Sequence, residues 1–392
     1  MFQVADRMKA MPFSGIRVMM EKANKMQSEG IDVIHMEIGR PDFDTPQVIK
    51  DAAYKSLSAG HVFYTSNYGT PALRKAIAEK LSKENNIPCD PSEVLVTVGV
   101  GEATYCACGC FLSEGDEVLI PNPVWLNYIH VPEFFGAKAV SYDLKEENDY
   151  QIDLNEIAGK ITDRTKMIVL VTPNNPTGSV LHEGTLKGIA DLAVKHNLIV
   201  LSDEIYEKLV YDGEKHISIA SLPGMKERTV TLNGFSKCYS MTGWRLGYMA
   251  APKEIIDAAV RLHQHINTCA ASFVQDAGIT ALKEAEPDVQ KMVAEYQRRR
   301  DYVVNSINGS PFLSCKVPKG AFYIFVNIKK TGEKAAAFSE YLLEHAHVAT
   351  VPGTAFGSAG EGYVRLSYAN SYENLVEACK RIHAAVNDMM ME

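Results

Sequence analysis

With 392 residues, 46% of them hydrophobic and 22% charged, the chain is long enough for one large domain and a smaller one, and nothing in its composition suggests disorder. Its formal net charge of -8, without a basic run or arm, argues against a nucleic-acid or anionic-membrane partner. No apolar stretch is long enough to cross a bilayer and the start lacks a secretory pattern, so a cytoplasmic location is expected.

In chain order, a helical period runs from Ala72 to Glu84, followed by a β-rich run from Glu93 to Val98. That run enters "GVGEAT", a glycine-bearing turn that opens a helix and leaves free N–H groups facing an anion. The pattern is neither a dinucleotide fingerprint nor a P-loop, so a single phosphate is the expected guest. Within the helix, Cys106, Cys108 and Cys110 are two apart and point to different faces, which suits small-residue packing and not a metal. No CxxC pair and no HExxH occur, and no metal site is expected.

Further β-rich runs follow: "DEVLIP", "KAVSYDL", Lys166 to Thr172, Asn197 to Asp203, "RTVTLN" and "LGYMAA". Helical segments such as Glu183 to His196 separate several of them, which predicts a mostly parallel sheet covered on both faces. After about Pro252 long helices take over, one of them starting near Pro287. Strand-like "GAFYIFVNI" and "EGYVRLSYA" come next, then a final helix, and this tail reads as a separate α+β unit. Residues before about Thr45 are candidates to pack with it.

In doubly wound sheets, ligands sit beyond the carboxyl ends of the strands. Three clusters fall there. "TPNNPTGSV" follows one strand, "SDEIYEKLVYD" another and "NGFSK" a third, so an amide, a carboxylate, a phenol and an ammonium can converge. The stretch "NGFSKCYSMTGWRLGY" adds Arg245 and three glycines around Lys237, with the glycines expected to bring backbone close to an anion.

Seven motifs occur in order over nearly the full length: "IGRPDFDTP", "YTSNYGTPALRKAIA", "PNPVWLNY", "NNPTG", "SDEIYE", "SKCYSMTGWRLGY" and "VRLSYA". On these the chain resembles the class I/II aminotransferases, fold-type I enzymes that use pyridoxal 5'-phosphate. The resemblance implies an α/β fold with a mostly parallel seven-stranded sheet between helices. Residues 45–285 would form the large cofactor domain, and residues 1–44 with 286–392 an arm and a smaller α+β domain. It implies ping-pong transfer of an amino group from an L-amino acid to a 2-oxoacid such as 2-oxoglutarate.

By the same resemblance Lys237 is the Schiff-base lysine and proton shuttle, and Asp203 pairs with the pyridine nitrogen. Tyr206 and Asn175 would hydrogen-bond the ring's phenolic oxygen, and Trp125 would stack on the ring. Arg245, Ser236 and the N–H groups of Val100 and Gly101 would hold the phosphate. Tyr64 would reach the phosphate of a neighbouring subunit, which implies a homodimer with shared active sites. Arg365 would clamp the substrate carboxylate together with the Gly39 backbone, with Asn175 and Trp125 beside it, and Ile16 would line the side-chain pocket.

Two positions depart from the family pattern. Gly234 stands where many relatives have serine, and Gly101 where aspartate-using relatives often have lysine. Arg40 either supplies the missing distal charge or is solvated. The donor stays open among aspartate, alanine, aromatic and methionine-like side chains. Two other readings remain: a carbon–sulfur β-lyase on the same scaffold, and a cofactor-binding regulator. The regulator is disfavoured, because its appended DNA-binding domain would find no room before Gly39.

Overall fold

The computed structural model describes residues 2–9 and 11–391. All seven β-rich runs between Glu93 and Ala251 form one sheet: β1 Val94–Thr97, β2 Glu117–Asn122, β3 Lys138–Asp143, β4 Thr165–Val171, β5 Ile199–Asp203, β6 Thr229–Gly234 and β7 Gly247–Ala250. The spatial order is β1-β7-β6-β5-β4-β2-β3. Only β7 runs antiparallel to its neighbours, β1 and β6. The other pairs are parallel, as expected of a fold-type I transferase.

The apolar run of β4 shows why the sheet is buried on both sides. Val169 and Val171 face the helices Val100–Phe111 and Lys253–Ile266, where Ala103, Cys106, Ile256 and Ala259 receive them. Ile168 and Leu170 face the opposite way, against Leu186, Ile189 and Ala193 of the helix Glu183–Lys195. Successive strand side chains point to opposite faces, so an unbroken apolar run needs a helix layer on each. Each buried Val, Leu or Ile contributes about 1.5–3 kcal/mol. Cys106 and Cys108 are buried and Cys110 half-buried; burial pushes the first two thiols up to about 12, and all eight cysteines are free.

A second, antiparallel sheet holds β8 Ser314–Cys315, β9 Tyr323–Asn327, β10 Val351–Pro352 and β11 Tyr363–Ser367, in the order β10-β11-β9-β8. The long helix Glu286–Asn308, with Pro287 in its first turn, buries Val289, Met292, Tyr296, Val303 and Ile307 at helical spacing. Ile34–His35 pairs in parallel with Val348–Ala349, and the Ser367 N–H donates to the Met36 carbonyl at 2.7 Å. The N-terminal segment is thereby tied to the C-terminal sheet, and its Glu37 carbonyl accepts from the Arg365 guanidinium of β11. Among the described residues no helix is long and apolar enough to cross a membrane.

Candidate active site

A cavity of about 530 Å³ opens beyond the carboxyl ends of β4, β5 and β6. Every candidate site residue named from the sequence lines it, Tyr64 excepted. The fold supplies them from separate elements: Asp203 ends β5, Lys237 follows β6 by a short turn, Asn175 follows β4, and Arg365 reaches in from β11 of the second sheet.

Lys237 is half-buried, and its ammonium donates to the Gly39 carbonyl at 2.6 Å. Burial, then the positive charge of Arg365, brings its pKa down from 10.5 to about 8. A substantial neutral fraction near physiological pH follows, which is what a nucleophilic or proton-shuttling amine requires.

Asp203 is only 5% exposed. Its Oδ2 accepts from the Tyr128 hydroxyl at 2.6 Å and its Oδ1 from the Ile205 N–H at 3.1 Å. Burial nevertheless pushes the carboxyl up to about 6, against the pull of those hydrogen bonds. Among the described residues no cation lies within ion-pair distance of it. A buried carboxylate that is hydrogen-bonded but lacks a counter-ion suits a cationic ring nitrogen.

Arg365 is fully buried between two aromatic rings, with its guanidinium 4.5 Å from the Tyr323 centroid and 4.9 Å from that of Phe356. Nη1 donates to Asn175 Oδ1 at 3.1 Å and Nη2 to the Glu37 carbonyl. Its buried Nε has no partner. A planar fork, oriented and incompletely satisfied, fits a carboxylate.

The far end of the cavity suits a phosphate. The helix Val100–Phe111 begins after Gly99, whose φ of +82° is the left-handed region open to glycine. Glu102 holds this turn by accepting from the Val98 N–H at 2.6 Å. Arg245 donates to the Val98 carbonyl at 3.3 Å and to the Thr242 carbonyl at 3.2 Å, so its charge borders the same turn.

The glycines around Lys237 do not share one purpose. Gly243 borders the cavity. Gly234 and Gly247 instead face each other across β6 and β7, and a Cβ on Gly247 would lie 2.7 Å from the Gly99 carbonyl carbon. They let backbone pack on backbone behind the phosphate end, a correction to the expectation that all three approach the anion.

Tyr64 stands apart, 87% exposed beside Phe63 at 80%, away from the cavity of its own chain. Two residues with clear contacts were missed from the sequence. Tyr128 lies three positions after Trp125 in "PNPVWLNY", a spacing that puts both on one helical side, and this was the available signal. Tyr323, whose hydroxyl lies 2.8 Å from that of Tyr206, sits in an apolar strand and reads as core.

Comparison with known proteins identifies the family. A family model described as aminotransferase class I and II matches residues 31–382. An aspartate aminotransferase of Pyrococcus abyssi is 47% identical over 388 residues, covering 98% of each chain. Aromatic-amino-acid aminotransferase 2 of Thermococcus litoralis is 43% identical, again over 98% of each chain. The solved structure of an aromatic aminotransferase from Pyrococcus horikoshii matches with a TM-score of 0.90 at 45% identity, covering 93% of this chain and 99% of that one. The chain therefore belongs to the class I and II aminotransferases, enzymes that transfer amino groups with pyridoxal phosphate as cofactor.

Proposed function

We propose that this enzyme carries the α-amino group of an L-amino acid to a 2-oxoacid such as 2-oxoglutarate in two half-reactions, using Lys237, Asp203 and Arg365. The observation that carries the reading is that a lysine of lowered pKa, a buried carboxylate without a counter-ion and a buried, incompletely satisfied arginine border one cavity. When bound, pyridoxal phosphate supplies an electron sink for the charge left at the substrate Cα.

The chain's own residues do the rest. Lys237 would hold the cofactor's aldehyde carbon and would move the proton at the substrate Cα. Asp203, held by its hydrogen bond from Tyr128, would keep the ring nitrogen protonated. Tyr206 and Asn175 would hydrogen-bond the ring oxygen, and Trp125 would cover the ring. Val100, Gly101, Ser236 and Arg245 receive the phosphate. Arg365 orients the substrate carboxylate with the Gly39 backbone, so the Cα proton is presented to Lys237.

Single amino acids added to the purified holoenzyme without an oxoacid test this reading through the cofactor's absorption. Conversion to the amine form, reversed by 2-oxoglutarate, is expected. An unchanged spectrum with steady ammonia release would overturn it in favour of elimination.

The relatives are named for aspartate and for aromatic amino acids, and the cavity offers something to each. Ile16, Ile38 and Trp125 supply apolar walls, while Arg40 borders the cavity, exposed and without a hydrogen bond or ion pair among the described residues. We infer that apolar rings use the walls and that Arg40 meets the distal carboxylate of acidic substrates. Arg40→Ala is then expected to raise KM for aspartate and 2-oxoglutarate about 10-fold, one charge-assisted hydrogen bond's worth. KM for phenylalanine should stay within about twofold, since apolar burial is untouched. Equal losses for both classes would remove Arg40 from this role.

Asp203 gives the cofactor-free protein a pH signature. Its pKa is raised from the ordinary 3.8 to about 6, so the folded state binds the extra proton in that window. Stability therefore falls as pH climbs through it, by about 3 kcal/mol once above it. A cationic ring nitrogen held against Asp203 would offset this cost. The thermal stabilisation by saturating cofactor is thus expected to be larger above about pH 7 than below about pH 4.5, and Asp203→Asn should shrink the difference. The same increment in parent and variant would contradict the pairing.

The division into a cofactor domain of residues 45–285 and a second unit of residues 1–44 and 286–392 is part of the proposal, supported by the two sheets and by the pairing of Ile34–His35 with Val348–Ala349. A homodimer is proposed as well. Tyr64 ends an exposed apolar run with Val62 and Phe63, and its family role needs a second copy. A cytoplasmic setting accords with eight unpaired cysteines.

A further inference from the structure

Tyr323, on β9, occupies the gap between the two halves of the site. Its hydroxyl lies 2.8 Å from that of Tyr206, and the two buried rings meet edge to face with centroids 5.8 Å apart. On its other side the Arg365 guanidinium sits 4.5 Å from its ring centroid. Gly39 makes the room, because a Cβ there would fall 2.7 Å from the Tyr323 hydroxyl oxygen.

A phenol carries one hydrogen and accepts through its oxygen. Among the described residues, the one hydrogen bond made by the Tyr206 hydroxyl is with Tyr323. When Tyr206 directs its hydrogen at the cofactor's ring oxygen, its own oxygen is left to accept, and Tyr323 is the donor in place. We propose that Tyr323 is a positioning residue that donates to Tyr206, aims that hydroxyl at the cofactor and couples the carboxylate clamp at Arg365 to the cofactor ring. The inference rests on the roles given above to Tyr206 and Arg365.

The coupling has a physical sign. Burial raises the Tyr323 pKa, and the neighbouring Arg365 charge draws it back down, which makes the phenol a better donor. A substrate carboxylate on Arg365 cancels that charge and weakens the donor. Tyr206 then supports negative charge on the ring oxygen less well. The other charged groups facing the pair are Lys237, 5.7 Å from the Tyr206 centroid, and Asp203, whose charge reaches Tyr206. Both are retained in the test.

Tyr323→Phe removes the hydroxyl and keeps the ring beneath Arg365. The absorption of bound cofactor is titrated with pH in parent and variant holoenzyme, with and without maleate, a dicarboxylate that has no amino or oxo group. Without maleate the variant's midpoint is expected to rise by about half a pH unit, because a weaker donor disfavours the anionic ring oxygen. The further rise caused by maleate should be smaller in the variant than in the parent. In a Tyr206→Phe background the Tyr323→Phe change should add nothing. A variant that titrates like the parent under both conditions would overturn the role of Tyr323 alone. A parent without any cofactor band would overturn the underlying reading of the site, and this one with it.

Discussion

Lys237→Ala is expected to lower turnover with every amino donor and oxoacid by on the order of 10⁴-fold or more, since on the proposed roles it removes both the nucleophile and the proton carrier. The fold should survive. Lys237 is half-buried, and its single hydrogen bond, to the Gly39 carbonyl, is released without leaving a buried charge behind. The cofactor should still bind through Asp203, Arg245 and the N-terminus of the helix Val100–Phe111, but borohydride should no longer fix it to the chain. These two readouts separate loss of chemistry from loss of the site. Near-normal turnover would end the assignment of Lys237.

Arg365→Ala is expected to act on binding of all substrates alike. The side chain offers an incompletely satisfied, fully buried fork, and two charge-assisted hydrogen bonds of about 1.5–3 kcal/mol each are at stake. A fall in kcat/KM of about 100-fold or more should appear for acidic and aromatic donors and for the oxoacid, mostly as raised KM. Arg365→Lys should recover little, because a point charge replaces the planar fork held between Tyr323 and Phe356. The variant's cofactor spectrum and melting profile give the control for folding. A defect confined to one donor class would place the carboxylate clamp elsewhere.

The sequence by itself determined the sheet and the order of its chemistry. Runs such as Ile168 to Val171 are apolar at every position, and only a strand covered on both faces can bury them. Since ligands gather beyond the carboxyl ends of such strands, the positions of Asp203 at the end of one strand and of Asn175 and Lys237 just past two others were already a statement about a site. The motifs around these residues were enough to indicate the family. Periodicity and turn chemistry are local, and a reader of the chain can see them.

What the residues experience was decided only by the tertiary structure. Arg365 and Gly39 lie far from Lys237 in the chain, and they border one cavity with it because the N-terminal segment pairs with Val348–Ala349 and is hydrogen-bonded to Ser367 of β11. Tyr128 on Asp203 and Tyr323 against Tyr206 are contacts between elements, invisible to any local pattern. The same holds for the electrostatics: a lysine brought to about 8 and an aspartate raised to about 6 are set by burial and by neighbours from other elements. Desolvation depends on everything packed around a group. The sequence could therefore name Asp203, Lys237 and Arg365 as candidates, but the folded chain alone determined their surroundings and charge.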